Sequence, residues 1–156
     1  MIREAAASDR EALATILYRA SRDVFPLAGI ERVDAAEFDR QTAGESILVA
    51  EKDDRPVGFS SVWDPDHFLH HFFIDPAYHR HGIGRSLMVA TMMRYGSALS
   101  LKCNTSNTTA RTFYRAMGWI ETDEHGGTSE GIGDWIWIRT PAAASALGLL
   151  PEGPDA

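Results

Sequence analysis

The stretch HFFIDPAYHRHGIGRSLMVATMM, His71 to Met93, constrains this chain more than any other. An apolar run of strand length, Phe68 to Ile74, turns at Asp75-Pro76. It then passes through His79-Arg80-His81-Gly82-Ile83-Gly84 into a helical pattern, in which Leu87, Met88, Thr91 and Met92 keep the period to Tyr95. Gly96 is the expected stop. Gly82 and Gly84 carry no Cβ, so the backbone can approach a ligand closely, and the first turn of the helix leaves N–H groups without partners. Those donors and the positive end of the helix dipole favour an anion such as a pyrophosphate. Taken alone, Gly-x-Gly is more often an ordinary helix entry. A dinucleotide fingerprint is disfavoured because Leu87 holds the third glycine position, and there is no Gly-Lys-Ser/Thr for a nucleoside triphosphatase.

A second stretch follows, NTTARTFYRAMGW, Asn107 to Trp119. Together the two resemble the GCN5-related N-acetyltransferases, whose loop runs Gln/Arg-x-x-Gly-x-Gly/Ala between a strand and a helix. Gly82 and Gly84 fit that loop, while His79 stands at its leading position. Asn107, Ala110, Phe113-Tyr114 and Gly118-Trp119 fit the family's next helix. The resemblance covers about fifty residues, and it implies an acetyl-coenzyme A-dependent enzyme. The fold it implies is α+β: a mostly antiparallel central sheet with one parallel, splayed strand pair, flanked by helices. We expect that domain over residues 1–140 and a tail, mobile or a short docking helix, over 141–156.

At 156 residues the chain suits one domain. Hydrophobic content of 44% and charged content of 24% are ordinary for a globular protein. A net charge of −7 argues against a surface for nonspecific nucleic-acid binding, which needs many cations. It does not argue against a bound polyanion, because Arg80, Arg85 and Arg115 lie near the loop or the following helix in sequence. The lone cysteine, Cys103, excludes an intramolecular disulfide and sits in an apolar run, where a buried strand residue is the favoured reading over a nucleophile. No stretch reaches about twenty apolar residues and the N-terminus lacks an apolar core, so neither a membrane span nor a signal peptide is expected. We expect a cytoplasmic protein.

Around the loop, Ile2 to Ala5 reads as a strand and Ser8-Asp9-Arg10-Glu11 as a capping box opening a helix to about Ser21. A second helix is expected over Asp34 to Ala43. Ser46 to Lys52, Pro56 to Trp63 and His67 to Ile74 read as hairpin-linked strands. Ala98 to Cys103 is a further strand, parallel to His67–Ile74 if the intervening helix is a crossover. Trp119 to Thr122 and Asp134 to Arg139 form the last pair around a loop, Asp123 to Gly133. In the resembling family the helix-loop-helix region binds acceptors, where Phe25 and Ile30 are candidates and Phe38 is favoured as simple packing.

For the coenzyme, the resemblance assigns His79, Arg80, His81, Gly82, Ile83, Gly84 and Arg85 to the pyrophosphate. It assigns the strand end Phe72, Phe73 and Ile74 to the pantetheine arm, with Asn107 and Tyr114 also touching the coenzyme. It makes the backbone N–H near Phe72 the donor to the thioester oxygen and Tyr114 the general acid to the departing thiolate. A phenol of ordinary pKa near 10 is protonated at neutral pH and can do this. The family's usual strand Glu is missing, since no acidic residue lies between His67 and Ile74. His70, sharing strand parity with Phe72 and Ile74, is the candidate base; a surface or core role stays open.

Five of the six histidines fall between His67 and His81. Strand alternation puts His67 and His71 on one face and His70 on the other, which makes convergence on one ion awkward, so no metal is expected. The leading reading is an N-acetyltransferase acting on a small-molecule or peptide amine by direct attack in a ternary complex. A noncatalytic acyl-coenzyme A-binding or regulatory module is the rival, and a histidine-rich metal-binding protein is a third reading, placed well below the transferase. Neither nucleic acid nor membrane is expected as a partner. The resemblance leaves a homodimer open and does not name the acceptor.

Overall fold

The structure is a computed structural model that describes residues 1–149 of the chain. Two compact units divide it, Met1–Tyr95 and Gly96 onward. The first unit holds strands β1 (Ile2–Glu4), β2 (Ser46–Lys52), β3 (Arg55–Trp63) and β4 (Phe68–Ile74). Its helices are α1 (Arg10–Val24), α2 (Ala35–Gln41) and α3 (Ile83–Tyr95). The strands pair antiparallel in chain order. Asp53 and Asp54 both take left-handed φ, 53° and 59°, the conformation a two-residue hairpin needs between β2 and β3.

Both faces of this sheet are covered, so Leu48, Val49 and Ala50 are all buried even though neighbours on β2 point to opposite sides. On one side Val49 and Phe59 pack with Leu13, Ile16 and Leu17 of α1 and Phe38 of α2. On the other, Leu48, Ala50 and Val57 pack with Leu87 of α3, joined by half-buried Phe72 and Ile74. A buried hydroxyl pair, Ser60 Oγ and Thr91 Oγ1 at 2.8 Å, ties β3 to α3. Gly58 lets β4 approach: a Cβ there would lie 2.5 Å from Ile74 Cδ1 and 3.0 Å from the Phe73 carbonyl oxygen. The helix starts differ from the capping box expected at Ser8. Asp9 reaches back to the Ala6 N–H at 2.7 Å and is gripped by Arg3, and α1 runs on to Val24. Asp34 caps α2 as expected, accepting from the Glu37 N–H at 2.8 Å.

The second unit holds β5 (Ser100–Asn104), β6 (Ile120–Ser129) and β7 (Gly133–Arg139), with α4 (Thr108–Ala116) and α5 (Pro141–Ala146). β7 lies between β5 and β6, antiparallel to both. Here one expectation fails. The polar, Gly-containing segment read as loop from Asp123 continues as strand to Ser129, with register breaks either side of His125. Those breaks erase the alternation a sequence reading depends on, while Gly126 permits a backbone approach that brings a Cβ position within 3.2 Å of Trp135 Cβ. Of the expected tail, Pro141–Ala146 is helix, capped by Thr140 and burying Ala143 and Ala144; residues 150–156 lie outside the described residues. Among the described residues, no helix is long and apolar enough to cross a membrane.

Candidate active site

The glycine loop is built from the end of β4. Asp75, buried, accepts the Ala77 N–H at 3.0 Å and Arg19 Nη1 at 3.0 Å, which turns the chain into a single 3₁₀ turn at Pro76–Tyr78. His79 Nε2 then donates to the Ile74 carbonyl at 3.1 Å, fastening the start of the loop to the strand end. Arg80 (φ 67°) and Gly82 (φ 75°) are both left-handed. Only Gly takes that conformation without a steric penalty. The first bond of α3 runs from the Ser86 N–H to the Gly82 carbonyl at 3.2 Å, so the amides of Ile83, Gly84 and Arg85 stand ahead of the helical ladder.

Nothing lies within 4 Å of the position a Gly82 Cβ would take, so the loop is open on that side. Lys52 Nζ donates to His81 Nδ1 at 3.0 Å, adding a cation beside it. His79, Arg80, His81 and Arg85 are all exposed. The open bend, the helix start and these basic side chains form a donor set that fits a diphosphate. Phe72 and Ile74 are half-buried on the α3 side of the sheet, and Phe73 packs on the α1/α2 side.

Midway along β4 the register slips. Ser61 faces His71 and the next residue, Val62, faces Leu69, leaving His70 as the extra residue of a β-bulge. This overturns the parity argument. His70 does not follow Phe72 and Ile74; its ring stacks on that of His71, centroids 3.9 Å apart. His71 lies against Phe59 and Phe73, at 6.1 and 5.8 Å. The bulge also brings both imidazoles to Glu45, which sequence reasoning missed.

Glu45 Oε2 and Oε1 lie 2.8 and 3.1 Å from His70 Nδ1, and Ser61 Oγ donates to the same carboxylate. The Glu45 side chain is 7% exposed and that of His70 37%, so a nearly buried carboxylate orients a reachable imidazole. Glu45 sits just before β2, far from His70 in sequence, and no local pattern announces their meeting. His71 is buried, and burial, with the neighbouring His70, pushes its pKa down to about 3, keeping the ring neutral. Its Nε2 is buried without a hydrogen-bond partner.

In the second unit Asn107 caps α4, its Oδ1 accepting the Ala110 N–H at 3.2 Å. Gly118 (φ 88°) ends that helix as expected, with the Trp119 N–H returning to the Tyr114 carbonyl at 2.9 Å. Tyr114 is the buried member of the aromatic pair, 7% exposed, between Phe113 and Trp119 at 5.5 and 5.7 Å. Burial raises its pKa well above the ordinary phenol value, so the hydroxyl keeps its proton. Cys103 is buried, as expected of a strand residue, and burial lifts its thiol to about 11.

A family model described as the acetyltransferase (GNAT) domain matches residues 19–134, and the chain belongs to that acetyltransferase family. Similar solved structures include apo YjaB from Escherichia coli, at 21% identity and TM-score 0.72, covering 92% of this chain and 98% of that one. YncA from Salmonella typhimurium, solved with acetyl-CoA, is 18% identical with TM-score 0.71, covering 91% and 93%. PaiA N-acetyltransferase from Thermoplasma acidophilum, in complex with coenzyme A, is 18% identical with TM-score 0.69, covering 90% and 98%. The fold class expected from the sequence is therefore the one the chain has. No curated protein matches the chain at the sequence level.

Proposed function

We propose that the protein is an N-acetyltransferase that moves an acetyl group from acetyl-coenzyme A to a primary amine by direct attack in a ternary complex. The observation that carries this reading is the open left-handed bend at Gly82 leading into α3, in a chain of the acetyltransferase family. Coenzyme complexes among its structural neighbours support acetyl-coenzyme A as the co-substrate.

The amides at the start of α3, with His79, Arg80, His81 and Arg85, hold the diphosphate. The strand end Phe72–Ile74 and Asn107 take the pantetheine arm, and the Phe72 N–H polarises the carbonyl. His70 serves as base. Its Nδ1–H donates to Glu45, which fixes the tautomer and leaves the Nε2 lone pair to accept a proton from the amine. As the C–N bond forms and the C–S bond breaks, Tyr114 supplies a proton to the thiolate. Acceptors within reach of this chemistry are small amines, amino acids and peptide amino groups, and a buried single thiol suits the cytoplasm.

Burial of Tyr114 favours one other reading, a noncatalytic acyl-coenzyme A-binding module in which that phenol only packs. Free thiol release from acetyl-coenzyme A across an amine panel separates the two. Amine-dependent release is expected; tight coenzyme binding with no release from any amine establishes the module instead.

A further inference from the structure

We propose that Glu45, His70 and His71 form a binding site for one divalent transition-metal ion, with zinc the best match to two imidazoles and a carboxylate. Each of the three offers a ligand atom, and these atoms all lie within 4.8 Å of one another. Among the described residues this is the one such group of three. Two of its members are adjacent on a strand, where alternation should send them to opposite faces. The bulge that leaves His70 unmatched between Ser61↔His71 and Val62↔Leu69 stacks them on one side instead.

A second observation points to a ligand. His71 is 7% exposed, and its Nε2 is buried with no hydrogen-bond partner. A buried polar nitrogen left unpaired carries its full desolvation cost, and an ion bound through that nitrogen would remove it. The Glu45 carboxylate supplies one negative charge, and the Ser61 hydroxyl orients it from outside the ligand set, as supporting partners of metal ligands do.

His70 Nδ1 and Glu45 Oε2, now 2.8 Å apart across a proton, open to about 3.4 Å, and the stacked imidazoles turn out of their 29° stack, to become corners of a tetrahedron around zinc. The ion takes the place of that proton, which the neutral imidazole carries on Nε2 once Nδ1 is a ligand. Three protein ligands leave a fourth position open, on the exposed side where His70 meets solvent. Occupancy would withdraw His70 from proton transfer, so zinc should inhibit acetyl transfer. That consequence rests on the proposed function; the binding does not.

Isothermal titration of the chelator-treated chain with zinc chloride, together with metal analysis after dialysis, tests the site. One ion per chain is expected. His70→Ala removes an exposed ligand and should weaken zinc at least tenfold. Glu45→Gln should do the same, whereas His125→Gln, outside the cluster, should retain full affinity. Far-ultraviolet circular dichroism of each variant separates lost ligands from lost fold. Absence of stoichiometric binding, or unchanged affinity in both His70→Ala and folded Glu45→Gln, overturns the proposal. Coenzyme A is titrated into the same samples. A chain that binds zinc but not coenzyme A keeps the ion site and defeats the transferase reading, and the opposite result does the reverse.

Discussion

Tyr114 shows how a single side chain can be assigned from a pattern yet placed by packing. Its position was legible because Asn107, Ala110 and Gly118 fall in register with it. Neighbours on a helix point about 100° apart, so either Phe113 or Tyr114 could have been the inward residue. The tertiary structure chose Tyr114, which leaves the phenol protonated but nearly sealed. As the acid of the proposed transfer, Tyr114→Phe should lower kcat by about a hundredfold or more while leaving coenzyme A affinity within a few fold. Stopped-flow or steady-state assays beside calorimetry read both; an unchanged kcat removes Tyr114 from the mechanism. Glu45 is the opposite case, invisible in sequence because its partner Ser61 and its partner His70 lie on two other strands.

The loop–helix element from His79 into α3 was readable residue by residue, because glycines and a strand-to-helix switch are local signals. Gly84 lies in the first turn of α3, so Gly84→Trp should abolish coenzyme A binding while the chain stays folded; retained binding would refute the assignment of this bend to the diphosphate. Asn107 illustrates a purely local contribution. Losing its cap on α4 in Asn107→Ala should cost about 1 kcal/mol, visible as a lowered midpoint in urea. The part of β6 beyond Thr122 escaped the sequence reading for the converse reason. Its register breaks leave a polar, irregular pattern that only pairing with β7 turns into a strand.

Across the molecule as a whole, acid sensitivity follows from buried ion pairs. Asp9, 6% exposed, accepts two bonds from Arg3, at 2.7 and 2.8 Å, and one from the Ala6 N–H. Arg3 foremost holds its carboxyl below the ordinary 3.8, against the opposing effect of burial. A folded-state pKa below the unfolded one contributes stability that is complete above about pH 4 and is lost as pH falls through the folded value. The gap in unfolding free energy between the wild type and Arg3→Met should therefore be wide near pH 7 and narrower near pH 3. Urea titrations at the two pH values check this, and a gap independent of pH would show that Arg3 acts through packing alone.

The sequence by itself determined the family, the fold class, the glycine bend and the capped helix carrying Tyr114, because each is written in neighbouring residues whose conformational preferences act over one or two turns. Only the tertiary structure decided that His70 and His71 share a face, that Glu45 meets them, and that Tyr114 rather than Phe113 turns inward. A bulge is a mismatch between two strands, and burial is a property of everything packed around a side chain. Neither is encoded at any single position, so both emerge only when distant segments come together.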